Sequence, residues 1–291
     1  MNDFRGKTAV VTGAASGIGR ALAQRFCDDG MNVVLADHDA TALARAESEL
    51  RAGGANVLAV KTDVSDGAAV AALAARTQEA FGDVHLLCNN AGVGGASGPV
   101  WKLSENDWTW AIGVNLWSVV HGLRAFVPAM IAHGGEGHVV NTASMAGLSS
   151  PTFMSTYVAT KHAVVSVSEV LARDLQAFGS KLRVSVLCPG FVRTNIVDTE
   201  QHRPAHLRDE KSSSNSPAGK GVEQAIRKLV EAGRSPAEIA EHVVNAIRDG
   251  RFYILPHPEL TGLIAERMHD ILDGRYPKFD PDQLKPEKNR P

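Results

Sequence analysis

The sequence lacks the marks of several large protein classes. Its three cysteines, Cys27, Cys88 and Cys188, lie far apart and form no Cys-x-x-Cys. An odd, scattered set reads as free thiols in a reducing compartment, not as a disulfide framework. There is no long basic run, and the formal net charge is −2, so neither nucleic acid nor an anionic membrane surface is the expected partner. The eleven histidines never fall into His-Glu-x-x-His or a comparable ligand spacing, and no metal site is expected. No stretch reaches the roughly 18 apolar residues of a membrane span. The opening, MNDFRGKTAVVTG, has neither an apolar signal core nor a twin-arginine pair. These absences set the expectation of a soluble, cytoplasmic protein whose partner is a small molecule.

What is present is an α/β pattern. With 291 residues, 44% of them hydrophobic, the chain can bury one large core. Short β-branched runs at 8–12, 32–36, 56–60, 84–88, 138–142 and 183–188 alternate with helical stretches. The runs are continuously apolar, as strands are when helices cover both sheet faces. Repeated βα units predict a Rossmann-type, doubly wound parallel sheet in a single domain spanning 1–291. Ser104-Glu105-Asn106-Asp107 resembles a capping box, opening a long helix with Trp108, Ile112, Leu116 and Val119 at helical spacing. Its tryptophans read as core or subunit-contact residues. After Cys188-Pro189-Gly190 the texture changes: 195–221 is polar and includes KSSSNSPAGKG, which reads as a mobile loop. A substrate lid over 191–230 is expected. Ser235-Pro236 then starts another helix, 251–256 reads as a last strand, 263–272 as a last helix, and 279–291 as a flexible tail.

The turn after the first strand is Thr12-Gly13-Ala14-Ala15-Ser16-Gly17-Ile18-Gly19. Glycines there let the backbone turn tightly and approach a pyrophosphate seated on the helix N-terminus. A purely structural turn is the competing reading. Asp37 ends the second strand, where a carboxylate can accept hydrogen bonds from an adenosine ribose and repel a 2′-phosphate. A simple capping aspartate is the alternative, since Asp39 follows. Further on, Tyr157 and Lys161 stand four residues apart, so a helix projects them side by side. A phenol beside an ammonium is either a surface pair or a tuned acid.

Together these residues resemble the short-chain dehydrogenase/reductase family. TGAASGIG at 12–19 is similar to its cofactor turn, Asp63-Val64 to its adenine-contacting pair, and Asn89-Asn90-Ala91-Gly92 to its strand-end motif. Asn115, Ser144, Tyr157 and Lys161 match its catalytic tetrad, and Pro189, Gly190, Val192 and Thr194 its nicotinamide-side loop. The likeness runs through 5–195. It implies a nicotinamide cofactor held by Gly13, Ser16, Gly17, Ile18, Gly19, Asp37, Asp63, Val64, Asn90, Ala91, Gly92, Tyr157, Lys161, Pro189, Gly190, Val192 and Thr194. It also implies a homotetramer or dimer built through helices at 104–132 and 155–178. In that role Tyr157 is the general acid/base, and Lys161 beside it, together with the positive nicotinamide of the oxidised cofactor, lowers its pKa from near 10. Ser144 hydrogen-bonds the reacting oxygen, and Asn115 holds a water linking Lys161 to solvent. NAD(H) is expected over NADP(H): Asp37 repels the phosphate and position 16 is serine, not a base, although a protonated His38 would narrow the gap.

Substrate is less legible. Met145, Leu148, Phe153, Met154, Phe191 and Val192 give the segments flanking the nicotinamide an apolar character. They point to a bulky hydrophobic, aromatic or polycyclic, secondary alcohol or ketone. Thr194-Asn195-Ile196, His202-Arg203-Pro204 and the long C-terminus are locally similar to bacterial members that oxidise benzylic alcohols of lignin-derived aryl ethers. Two alternatives stand beside this. One is an NADPH-dependent 3-oxoacyl thioester reductase, with Arg203, Arg208 and Lys211 meeting a carrier phosphate. The other is a nucleotide-sensing binding protein without turnover, which would have no need of Tyr157 and Lys161 together.

Overall fold

The computed structural model describes residues 1–209 and 217–279. Its strands are β1 (Thr8–Thr12), β2 (Asn32–Asp37), β3 (Val57–Lys61), β4 (Leu86–Asn89), β5 (Gly137–Thr142), β6 (Leu182–Leu187) and β7 (Tyr253–Ile254). They form a seven-stranded sheet in the order β3-β2-β1-β4-β5-β6-β7, and every pairing is parallel. This is the expected doubly wound sheet. The order reverses between β1 and β4, which opens a crevice at the carboxyl ends of those strands.

Strand side chains alternate between two helical layers. Ala9, Val11, Val33 and Leu35 pack with α1 (Gly17–Asp28), α2 (Ala40–Ala52) and α8 (Pro236–Asp249) through Leu22, Phe26, Leu50, Ile239 and Ile247. Val10, Val34 and Leu87 face the other way, onto α3 (Gly67–Phe81) and α5 (Ser118–His133) through Leu73, Phe126 and Met130. There α6 (Ser155–Ala177) completes the layer with Val164 and Val165. Both faces are covered, so strands such as β1 are buried along their whole length.

Side chains fix where the helices begin. Asp39 accepts from the amides of Thr41 and Ala42 at the start of α2. Ser104 and Asp107 form the capping box that opens α4 (Glu105–Ile112), and Ser235 and Glu238 form one for α8, with Pro236 in its first turn.

Three elements differ from the sequence reading. The long helix from Ser104 is interrupted by a π-helical segment, Gly113–Trp117, between α4 and α5. The last strand, β7, is only two residues long. The segment read as a loop holds 3₁₀ helices at Asn195–His202 and Ala205–Leu207, then α7 (Pro217–Glu231). Most of KSSSNSPAGKG and nearly all of the expected tail at 279–291 lie outside the described residues. The tryptophans divide: Trp110 is buried, Trp108 half-buried, and Trp117 exposed.

No run of consecutive apolar residues is long enough for a span, yet the helical stretch 105–133 reaches that length, with mean hydropathy 1.2. Its apolar side chains Val119, Phe126, Val127 and Met130 belong to the core, and it buries Asp107 and Asn115. Covering a sheet face accounts for its composition.

Candidate active site

The β1–α1 turn is shaped by close approach. A Cβ on Gly19 would fall 2.1 Å from the Gly13 carbonyl oxygen, so only glycine fits there. Gly13 and Gly17 take positive φ, +66° and +53°, in the region glycine adopts without strain. Ser16 occupies the N-cap of α1 but makes no side-chain cap bond. The next two helices, α2 and α3, are capped by their own aspartates. The first amides of α1 therefore point into the crevice without a capping side chain, an arrangement suited to an anion.

Asp37 stands opposite. Its Oδ2 accepts from the Ala15 amide at 3.0 Å, and its Oδ1 from the Asp39 amide at 3.1 Å and from His38 Nδ1 at 3.1 Å. Burial works against its charge, but these bonds outweigh it and hold the carboxyl below the usual range. The same contact raises the His38 pKa. The His38 ring meets His202 edge-on at 4.8 Å, so the 3₁₀ segment after β6 reaches across to the end of β2.

At the end of β4, Asn90 and Ala91 donate their amides to Thr12 Oγ1 at 2.9 and 3.0 Å, and Asn90 Nδ2 donates to the Thr12 carbonyl at 3.0 Å. Thr12 thus joins the two strand ends on either side of the crevice. Sequence reasoning assigned it no such role, because its partner lies 78 residues away.

Ser144 follows β5 and Tyr157 and Lys161 lie on α6, which brings all three to one wall. Ser144 Oγ accepts from the Ala146 amide at 3.1 Å and donates to the Pro189 carbonyl at 3.4 Å, close enough to the Tyr157 phenol to act on its charge. Lys161 Nζ donates to the Thr142 carbonyl at 2.9 Å and sits 5.6 Å from the centre of the Tyr157 ring. Burial raises the Tyr157 pKa, and Ser144 offsets this only in part. Burial also pushes Lys161 down, to about 8. The expected lowering of the tyrosine is therefore not present in the chain alone. Burial dominates both groups, and the lysine ammonium is bonded to a carbonyl rather than to the phenol.

Asn115 sits behind this wall in the π-helical segment. It accepts from the Val93 amide at 2.8 Å and donates to the Val93 carbonyl at 3.0 Å and Thr160 Oγ1 at 3.2 Å. Both of its donor hydrogens are engaged, while Oδ1 keeps one lone pair. A Cβ on Gly92 would lie 3.2 Å from that oxygen and 3.4 Å from Lys161 Nζ. The glycine keeps open a small space between the two.

These groups line one cavity of about 1250 Å³, larger than the roughly 300–1,000 Å³ of ordinary small-molecule sites. Of the catalytic and cofactor-binding residues implied by the family resemblance, Gly19 and Asn115 lie behind its surface; the others line it. Met145, Met154, Phe191 and Val192 line it too, whereas Leu148 and Phe153 do not. Phe153 instead holds a left-handed backbone, φ +64°, just before α6, a strained state for a residue with a Cβ.

Two supports were not foreseen. The first is His257, which accepts from the Gly190 amide on Nδ1 at 3.0 Å. Its Nε2 must then carry the hydrogen that meets the Phe191 carbonyl at 3.0 Å. The second is Arg203, nominated for a carrier phosphate. Its side chain is 1% exposed, bonded to the equally buried Asp107 at 2.8 Å and to Glu200 at 3.0 Å, and stacked over Trp110. Arg208 donates to the carbonyls of Arg203 and Gln201. Arg203 is not available to a carrier phosphate, Arg208 is exposed but does not line the cavity, and Lys211 lies outside the described residues.

The arrangement is echoed in known proteins. The family model for short chain dehydrogenases matches residues 7–205. The chain is 37% identical over 278 residues to the CLA biosynthesis dehydrogenase/reductase of Lactiplantibacillus plantarum, covering 95% of this chain and 97% of the relative. It is 37% identical over 265 residues to the 1-deoxy-11-beta-hydroxypentalenate dehydrogenase of Streptomyces avermitilis, covering 91% and 89%. The crystal structure of a short chain dehydrogenase/reductase from Burkholderia phymatum in complex with NAD superimposes with a TM-score of 0.94 at 47% identity, over 96% of this chain and 99% of that one. With the glycine turn, the Asn-Asn-Ala-Gly strand end and the Ser–Tyr–Lys wall in one crevice, the chain belongs to the short chain dehydrogenase family.

Proposed function

We propose that this protein is an NAD-dependent dehydrogenase of a bulky, hydrophobic secondary alcohol, or a reductase of the corresponding ketone. The observation that carries this is the convergence of Ser144, Tyr157 and Lys161 on the wall of a cavity whose other end has the uncapped amides of α1 and the carboxylate of Asp37. Those two features fit a dinucleotide: amides for the pyrophosphate, and a buried carboxylate for a free ribose diol. Gly13, Ser16, Gly17 and Ile18 would hold the phosphates, Asp63, Val64, Asn90 and Ala91 the adenosine side, and Pro189, Gly190, Val192 and Thr194 the nicotinamide side. The NAD named for the Burkholderia phymatum structure supports the choice of cofactor. When bound, the oxidised cofactor supplies the hydride acceptor and a positive charge near the phenol.

The residues do the rest. Tyr157 takes the hydroxyl proton as the carbinol hydride departs, and Ser144 donates to the substrate oxygen while charge develops on it. Lys161, held by the Thr142 carbonyl, stabilises the phenolate and reaches the nicotinamide ribose. The space beside Gly92, between Asn115 Oδ1 and Lys161 Nζ, suits a water that passes the proton on to solvent. Met145, Met154, Phe191 and Val192 would meet an apolar substrate body. The relative named for a hydroxypentalenate supports a hydroxylated, carbon-rich substrate. Residues 191–230 would act as the lid. Exposed Trp117, Ile131 and Val170 on the faces of 105–133 and α6 support association of copies there.

The burial of Arg203 against Asp107 removes one member of the phosphate clamp that the thioester reading needs. A screen of bulky secondary alcohols with NAD, followed by nicotinamide absorbance, tests the proposal. Turnover of hydrophobic secondary alcohols is expected. Binding of NAD without turnover of any alcohol or ketone would overturn it in favour of a sensing role.

A further inference from the structure

The cavity that holds the Ser–Tyr–Lys group is also lined by α9 (Thr261–Leu272), whose composition is unusual for a surface that is to meet an apolar molecule. Leu263, Glu266, Arg267, Asp270 and Ile271 from this helix all line the cavity. Positions 263, 267 and 271 are spaced four apart, so they form one stripe in which an arginine stands between two aliphatic side chains.

The cavity has three arginines, and two of them are neutralised. Arg45 reaches Glu49 at 4.0 Å, while Arg275 pairs with Asp270 at 3.6 Å and Asp273 at 2.5 Å. The lining carboxylates Glu200 and Glu223 are likewise matched, by Arg203 and Arg227. Arg267 has no hydrogen bond and no ion pair among the described residues. It is only partly exposed. Its one recorded electrostatic neighbour is His162 of α6, whose pKa it helps to lower after the larger effect of burial. His162 Nδ1 accompanies the Val158 carbonyl at 3.0 Å, and its Nε2 is buried without a partner. With Nδ1 donating to that carbonyl, Nε2 is left an acceptor, and it forms no hydrogen bond with Arg267 among the described residues.

Besides Arg267 and the Asp270–Arg275 pair, two charged groups share this end of the cavity. Lys278 is exposed and adds positive potential, while Glu266 is exposed and opposes it. Glu266 and Arg267 are consecutive, and neighbouring helix positions do not face each other. Asp270 is already held by Arg275. The unmatched fork in the wall is therefore that of Arg267.

We propose that Arg267 is a specificity-determining residue that receives a carboxylate on the substrate. The substrate class is then a hydrophobic hydroxy acid, with its secondary alcohol at Tyr157, its apolar body against Met154, Phe191 and Leu263, and its carboxylate at α9. This rests on the proposed dehydrogenase reading for its orientation. A guanidinium matches a carboxylate through two parallel hydrogen bonds, and lysine cannot reproduce that geometry. Only one end of the substrate is charged, which fits a lining that sets one unmatched guanidinium beside the apolar side chains of Met154, Phe191 and Leu263.

The test separates binding from turnover. Affinity of the NAD-loaded protein for 4-phenylbutyrate and for 4-phenylbutanamide, which share a body and differ in charge, is measured by calorimetry. The acid should bind on the order of 10-fold tighter than the amide. Arg267→Ala should remove that preference without changing amide affinity, Arg267→Lys should retain part of it, and Glu266→Gln should enlarge it by about twofold, since a repelling charge is lost. Equal binding of acid and amide to the unaltered protein, or a preference that survives Arg267→Ala, overturns the inference. Either result leaves the dehydrogenase reading intact, because that reading is tested by turnover of neutral alcohols.

Discussion

The crevice has a floor and a roof, and they are built by different means. The floor is the set of strand ends, turns and α6 residues from Thr12 to Lys161. Its polar groups are held by backbone: Asn90 by Thr12, Asn115 by Val93, Lys161 by the Thr142 carbonyl. The roof, from Pro189 to α9, is held by side chains reaching across long gaps. Arg203 is tied to Asp107, Asp209 to Ser104 and Asn106, and His257 to Gly190 and Phe191. Backbone contacts fix geometry whatever the side-chain composition. Side-chain ties can be altered singly. On the proposed function, the chemistry would sit on the part that is harder to perturb, and substrate choice on the part that is easier.

The largest expected effect falls on the floor. Tyr157→Phe should lower turnover by about 10²–10⁴-fold while leaving NADH binding unchanged, since only the acid/base hydroxyl is lost. NADH fluorescence titration beside steady-state rates measures both. Retention of more than about a tenth of the rate would remove Tyr157 from its assigned role.

Arg203→Ala should do the reverse. It leaves the buried Asp107 carboxylate unpaired, a change that typically costs about 3–5 kcal/mol. The denaturant midpoint should fall by a matching amount, with NADH affinity nearly unaltered. A parallel loss of NADH affinity would mean that floor and roof are one unit.

Asp37→Ala should erase a preference for NAD over NADP on the order of 100-fold, because the carboxylate both binds the free diol and repels the phosphate. The preference should also depend on pH. His38 has its pKa raised by Asp37, so it is protonated below that raised value and neutral above it. As pH falls, a cation replaces a neutral ring beside the 2′ position, and the relative efficiency with NADP should climb. Ratios of kcat/KM for the two cofactors across pH check this. A flat profile would separate His38 from the ribose.

A last effect, absent at neutral pH and growing only in acid, concerns a weak point beneath the floor. His138, buried in β5, meets Ser185 Oγ through Nε2 at 2.7 Å, and that hydroxyl donates to the Arg251 carbonyl at 2.6 Å. Burial depresses its pKa to about 3. The unfolded chain takes up a proton below about pH 6.5 while the folded chain resists, so stability is complete above that value and falls as pH drops toward 3. The slope is about 1.4 kcal/mol per pH unit for this residue. His138→Gln should flatten the acid limb of a stability–pH curve, and an unchanged limb would assign the loss to other groups.

How much of this was legible depends on distance along the chain. The glycine turn, the Asn-Asn-Ala-Gly strand end and the Tyr–Lys pair are local patterns. Strand-end and helix geometry then dictates where their side chains go, so the floor was readable before any coordinates. The lid region was read as a polar loop because its composition is poor in apolar residues, yet it holds 3₁₀ turns and the start of α7 where it is described. Local composition could not reveal that Arg203 would find Asp107, 96 residues earlier. The π-helical segment was missed for a similar reason. Its helix has good periodicity throughout, and only the bonds from Asn115 to Val93 and Thr160 show what accompanies the break in register.

By itself, then, the sequence determined the parallel sheet, the crevice at its reversal point and the residues that face each other across it. Hydrophobic periodicity and short motifs act within a few residues of themselves, and the handedness of βα connections carries them into the fold. Tertiary structure alone decided which charges are matched and which are left over. An ion pair forms by proximity in space, between groups whose separation in sequence is arbitrary. Arg203, a basic residue in a polar stretch, became a buried tie, while Arg267, one of several charges on an amphipathic helix, was left facing the cavity without a partner.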